Sequence, residues 1–191
     1  IITKKLVVQP GQHVVLARSD DPSKNFGLIP DYAYYGMILQ NDDDEIILKC
    51  NNIEMDRVVY TPAWVHMGTS TQLGPSYYDY VSNDLLARWC PSVSSFGTMG
   101  KFGTPGQANE ICPMTVGLCR LQSPATANAE PGGNVVVFGR VFVDGLTTIS
   151  PYIDDEPNMR YQVGVGPDAT EPANNPLWTW FNGNANPGWN G

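Results

Sequence analysis

Short runs of β-branched and aromatic residues alternate with clusters of Gly, Pro, Asn and Asp along the whole chain. The runs cover residues 6–8, 13–17, 45–48, 57–60, 134–138, 140–143 and 161–165. Branched and aromatic side chains fit a pleated, half-buried surface, and the clusters between them supply turn conformations, so each run is expected to form a strand. Helical periodicity is scarce. Residues 82–89 are the best helical stretch, with Ser82 or Asn83 as its cap. Many short strands without interleaved helices predict an all-β chain, built as sandwiches or barrels and not around a parallel α/β sheet.

Residues 37–60 read as a meander of three short strands. Asn41-Asp42-Asp43-Asp44 forms the first turn and Asn51-Asn52 the second, because Asn and Asp tolerate left-handed backbone and bond their own amides. Ile46 and Leu48 alternate imperfectly with Glu45 and Ile47, which predicts a strand covered on both faces. A composition break falls at residues 112–119. Residues 97–109 before it are rich in Gly, Thr and Pro, and residues 122–133 after it are rich in Ala, Asn and Pro without an apolar period. The expected organisation is two domains, 1–113 and 114–191.

Four segments of the first domain stand in a recognisable order: Gln9-Pro10-Gly11-Gln12-His13-Val14-Val15-Leu16-Ala17; Ile38-Leu39-Gln40-Asn41-Asp42-Asp43-Asp44-Glu45-Ile46-Ile47-Leu48; Met55-Asp56-Arg57-Val58-Val59-Tyr60 with Trp64 after it; and Trp89-Cys90-Pro91 followed by Phe102-Gly103-Thr104-Pro105-Gly106-Gln107-Ala108-Asn109. Over residues 6–110 the chain resembles a bacterial lamin-tail domain. The resemblance implies an immunoglobulin-like β-sandwich, lacking here the family's first strands, which end in a W-x-φ segment. Residues 119–191 carry Gly139-Arg140-Val141-Phe142-Val143-Asp144-Gly145-Leu146-Thr147, then Val163-Gly164-Val165-Gly166-Pro167, then Trp178-Thr179-Trp180. They are similar to β-sandwich modules that follow lamin-tail domains in large secreted bacterial proteins, for which the resemblance implies no activity. In that pattern further strands follow the W-x-W segment, so the second sandwich is expected to be partial. Residue 1 is Ile and the chain opens on strand-like residues, so it reads as a piece of a longer precursor.

Charge narrows the partners. Eleven Lys and Arg against nineteen Asp and Glu give a formal net charge of −8. That balance opposes binding to phosphate backbones or anionic lipid, so neither nucleic acid nor a membrane is an expected partner. No apolar run approaches the roughly 18 residues of a membrane helix.

Four cysteines, Cys50, Cys90, Cys112 and Cys119, allow three complete pairings, and none has C-x-x-C spacing. Cys90 with Cys112 is the favoured disulfide, because the two bracket a Gly-rich segment with few apolar residues to hold it. Closing such a loop is worth about 3 kcal/mol in the chain-entropy picture. Cys50 and Cys119 pair with each other or with partners outside the chain. A disulfide framework implies an oxidising compartment: secreted, cell-surface or periplasmic.

Catalytic chemistry is not expected. No glycine loop is followed by Lys-Ser/Thr, and neither histidine, His13 or His66, sits in a nucleophile motif. No cofactor is expected, with Ca²⁺ the one candidate. Asp42, Asp43 and Asp44 with Glu45, and Asp154, Asp155 and Glu156, are the candidate calcium ligands, with Asp20, Asp21 and Asp31 a weaker third set; the competing reading is solvated turns. Trp178 and Trp180 fall on one face of a strand and Phe181 on the other, a candidate sugar-stacking platform against the competing reading of core tryptophans. Tyr34 and Tyr35, and Tyr77 and Tyr78, are candidate interface residues or lids on the sandwich ends. The expectation is a non-enzymatic structural or interaction module of a secreted or cell-surface protein, with protein partners or self-assembly into a fibre through strand addition. The alternative is an accessory polysaccharide-binding module of a larger secreted hydrolase or nuclease.

Overall fold

The computed structural model describes residues 2, 5–97, 100–154, 156 and 158–189. Strand accounts for 27% of the chain and helix for 7%, so the fold is all-β. The chain divides into two compact units, Ile1–Pro113 and Met114–Gly191.

In the first unit β1 (Leu16–Ala17) pairs in parallel with β2 (Tyr32–Ala33). β3 (Asp44–Cys50) pairs antiparallel with β4 (Ile53–Tyr60), β5 (Thr71–Leu73) with β6 (Trp89–Pro91), and β7 (Ser95–Phe96) with β8 (Lys101–Phe102). In the second unit β9 (Leu118–Ser123) pairs antiparallel with β10 (Phe138–Phe142), and β11 (Gln162–Val165) with β12 (Thr179–Asn182). Each ladder has two strands. Among the described residues, therefore, the strands form six separate ladders and not the pair of larger sheets a sandwich stacks face to face.

Three local expectations are corrected. Residues 37–60 hold two strands, not three: Gln40 donates its amide to Asp44 Oδ2 at 3.0 Å, which folds residues 40–44 as a bend. The Asn51-Asn52 turn does join β3 to β4, with φ of 49° and 66°, the left-handed pair that matches strand twist. Residues 82–89 form no α-helix but two 3₁₀ turns, Ser82–Asp84 and Leu86–Arg88, with extended Leu85 between them. The Trp89 indole donates to the Asn83 carbonyl at 2.8 Å, occupying the acceptor that residue 87 would need in an α-helix. Residues 6–8 form no strand, and of 134–138 only Phe138 lies in one.

The core of the first unit lies between β5 and β6. Trp64, Leu73, Tyr77 and Cys90 are buried there, and the rings of Trp64 and Trp89 meet at 5.2 Å. Thr71 donates its hydroxyl to the Trp64 carbonyl, tying the first 3₁₀ turn (Pro62–Trp64) to β5. Asn83 is buried and donates to Asp56 Oδ2 at 2.7 Å, which brings β4 against the turn at Ser82–Asp84. In the second unit Val143 and Leu146 are buried at a turn that Thr147 closes by accepting the Val143 amide at 2.9 Å.

Candidate functional site

Cys90 lies in β6 and Cys112 in the segment that leaves β8. Their sulfurs stand at disulfide distance, with the Cα atoms 5.6 Å apart and a sequence separation of 22. A second fastening runs beside the first. The half-buried carboxylate of Glu110 accepts from the Ser94 hydroxyl at 2.6 Å, the Ser92 hydroxyl at 2.7 Å, the Gln72 side-chain amide at 2.8 Å and the Val93 amide at 2.9 Å. These donors, the Ser94 hydroxyl first, pull its pKa down to about 2. Asn109 extends the strap: its Nδ2 donates to the Leu73 carbonyl at 2.9 Å and its amide to Tyr78 Oη at 3.2 Å. The Gly103-Thr104-Pro105-Gly106 stretch and the residues after it thus bind across β5 and β6 through polar groups. The sequence reading missed Glu110. The signal was there: Ser92 and Ser94 follow Cys90 at a spacing of two, and Glu110 precedes Cys112 by two, so one disulfide faces these groups toward each other.

The tyrosine candidates separate. Tyr77 is a core residue, with the Arg88 guanidinium 4.9 Å over its ring. Tyr78 is about half exposed and holds the strap, Tyr35 is exposed and Tyr34 half-buried.

Among the described residues no three His, Cys, Asp or Glu side chains come together as a metal-binding group. Asp42 and Asp43 lie in the bend before β3, and the Asp44 carboxylate accepts the amides of Gln40 and Glu45, which lower its pKa. Asp154 accepts the amides of Ile149 and Ser150, and Glu156 is buried; Asp155 lies outside the described residues. Asp21 takes Ser23, and Asp31 takes the Val15 amide at 2.8 Å. The carboxylates of Asp21, Asp44 and Asp154 thus bond groups within five residues of themselves, as short acceptors in turns do, while Asp31 reaches across to Val15.

Cys50 and Cys119 are free, exposed thiols. His13 meets Tyr78 edge-on at 6.4 Å, and His66 bridges Thr69 through the backbone.

Two surfaces stand out. The first is the β3–β4 ladder, the longest among the described residues, with seven and eight residues. Ile46, Leu48, Ile53, Met55 and Val59 on it are between 51% and 66% exposed. Arg57 donates to Glu45 and, at 2.8 Å, to Glu54, an ionic cluster that raises the guanidinium pKa and lowers that of Glu54. The second is the face of β11–β12 that carries Trp178 and Trp180, ring centroids 6.2 Å apart and planes 30° apart. Trp180 is 48% exposed, so the ring pair is not core; Leu177 and Phe181 are exposed as well.

Compared with known proteins, the chain matches no family model, no curated protein and no solved structure.

Proposed function

We propose that this chain is a non-enzymatic interaction module of a secreted or cell-surface protein, and that it assembles with further copies of itself by strand addition at the β3–β4 ladder. The observation that carries the reading is that ladder. Its two strands have only each other as partners among the described residues, and five large apolar side chains on it face solvent. An isolated hairpin is marginal in water, and an open strand edge is a template for another chain. A copy added at either edge would satisfy the outer amides and carbonyls and cover Ile46, Leu48 or Val59. The lamin-tail resemblance over residues 6–110 supports the same direction, with an immunoglobulin-like sandwich as the arrangement that pairing completes. The Cys90–Cys112 pair supports an oxidising compartment, and no helix among the described residues is long and apolar enough to cross a membrane.

Sedimentation velocity across a wide concentration range tests the proposal. Association that grows with concentration, and is abolished by Ile46→Lys with Val59→Lys, is the expected result, since edge lysines block pairing. A single monomeric species at every concentration overturns it.

A further inference from the structure

We infer that the β11–β12 face of the second unit is a glycan-binding site that takes the apolar face of a neutral pyranose chain. This is independent of strand pairing at β3–β4.

The register places Gly164 opposite Trp180 and Gln162 opposite Asn182, and cross-strand partners project from the same face. Glycine makes the platform. A Cβ on Gly166 would lie 2.4–2.5 Å from three atoms of the Trp178 ring, and one on Gly164 would lie 2.9–3.0 Å from three atoms of the Trp180 ring. Three nearly equal distances mean that each indole lies broadside on bare backbone. Any larger residue at either glycine would lift the ring above it. Trp178 is fixed by its Nε1–H, which donates to Thr170 Oγ1 at 3.0 Å, while the Thr170 hydroxyl donates to the Pro167 carbonyl at 2.7 Å. Two broad rings are therefore held against one ladder, that of Trp180 half open to solvent.

The same face continues into hydrogen-bonding groups. Arg160 Nε and Nη2 and Gln162 Nε2 all converge on the one side-chain oxygen of Asn182, at 3.3–3.4 Å. An amide oxygen has two lone pairs, so three long contacts leave donor capacity that a ligand hydroxyl can use. Beyond Asn182 the surface dips into a depression of about 350 Å³, lined by Arg160, Tyr161, Asn182 and Asn184 among others. Stacking rings followed by guanidinium and amide groups suit a sugar, whose C–H face is apolar and whose rim carries hydroxyls. A nucleic acid offers stacking bases too, but its phosphates would meet a chain of net charge −8.

The test is affinity electrophoresis of the full chain through gels containing hydroxyethylcellulose, xylan, glucomannan or laminarin, with chitin beads as a pull-down. The expected result is retardation by at least one of these. Trp180→Ala weakens it by about tenfold or more, since a stacked ring with its buried area is worth at least that factor. Gln162→Ala weakens it less, and Phe181→Ala, on the opposite face, leaves it unchanged. Circular dichroism checks that each variant is folded. Shielding of wild-type tryptophan fluorescence from acrylamide by the matching oligosaccharide is the second readout, and it does not depend on any variant. Retention by none of these polysaccharides overturns the proposal. So do equal effects of Trp180→Ala and Phe181→Ala, and so does binding of a proline-rich peptide in place of glycans.

Discussion

Gln72 and Glu110, 38 residues apart in sequence, bond each other in both directions: Gln72 Nε2 donates to Glu110 Oε2 at 2.8 Å, and the Glu110 amide donates to Gln72 Oε1 at 3.1 Å. Gln72 is buried, so an unmet amide there would carry a desolvation cost, and Glu110 meets it at both ends. The pair sits beside Cys90 and Cys112, where the strap following β8 crosses β5 and β6.

Acid should loosen this strap. Glu110 has a pKa of about 2 in the folded chain against an ordinary 4.5, so its contribution is fully present above 4.5 and is lost as pH falls toward 2. Asp21, Asp44, Glu54 and Asp79, all in the first unit, are lowered too, so that unit weakens in acid. Glu110→Gln isolates one carboxylate. Its melting temperature should lie below wild type at neutral pH, and the gap should narrow as the pH drops below 4. A gap independent of pH would count against the assignment.

Cys112→Ser should cost about 3 kcal/mol in denaturant titrations, the entropy of closing the Cys90–Cys112 loop. Intact mass before and after reduction should show the addition of two hydrogens.

Gly97 has φ of 59°, and a Cβ there would stand 2.0 Å from the Phe26 carbonyl oxygen. Gly97→Ala should destabilise by more than the roughly 1–2 kcal/mol of the left-handed backbone alone, because the collision is with main chain. Gly132, also at positive φ but with open space around it, supplies the comparison: Gly132→Ala should show the backbone cost only.

The β3–β4 turn is open to improvement. Asn52 holds φ of 66°, so in denaturant titrations Asn52→Gly should raise the unfolding free energy by up to about 1 kcal/mol, and Asn52→Val should lower it by about 1–2 kcal/mol.

The parts legible in the sequence were those fixed by local chemistry. Asn51-Asn52 between two branched runs specifies a hairpin by itself, and β3 and β4 follow from it. The Gly-x-Gly of 164–166 and the alternation of Trp178 with Trp180 likewise place two rings on one face, although the choice between core and surface needed the exposure of Trp180. Strands β5 and β6 were illegible because each has three residues, including Gln72 and Pro91, and they are defined by distant partners such as Trp64, Asn109 and Glu110. Residues 82–89 misled for the same reason: the demand of the Trp89 indole for the Asn83 carbonyl is a tertiary matter invisible to periodicity. The acidic runs at 42–44 and 154–156 look like ligand sets in one dimension, yet the carboxylates of Asp44 and Asp154 turn back onto their own main chain.

A covalent link between Cys90 and Cys112 alters what a protease can achieve. A single cut in the exposed stretch around Gln107 severs the backbone but releases nothing, since both new ends stay tied through sulfur and through the Glu110 carboxylate. Nicked and intact molecules would then migrate together until a reductant is added, so a first proteolytic cut would leave the parts of the first unit in place.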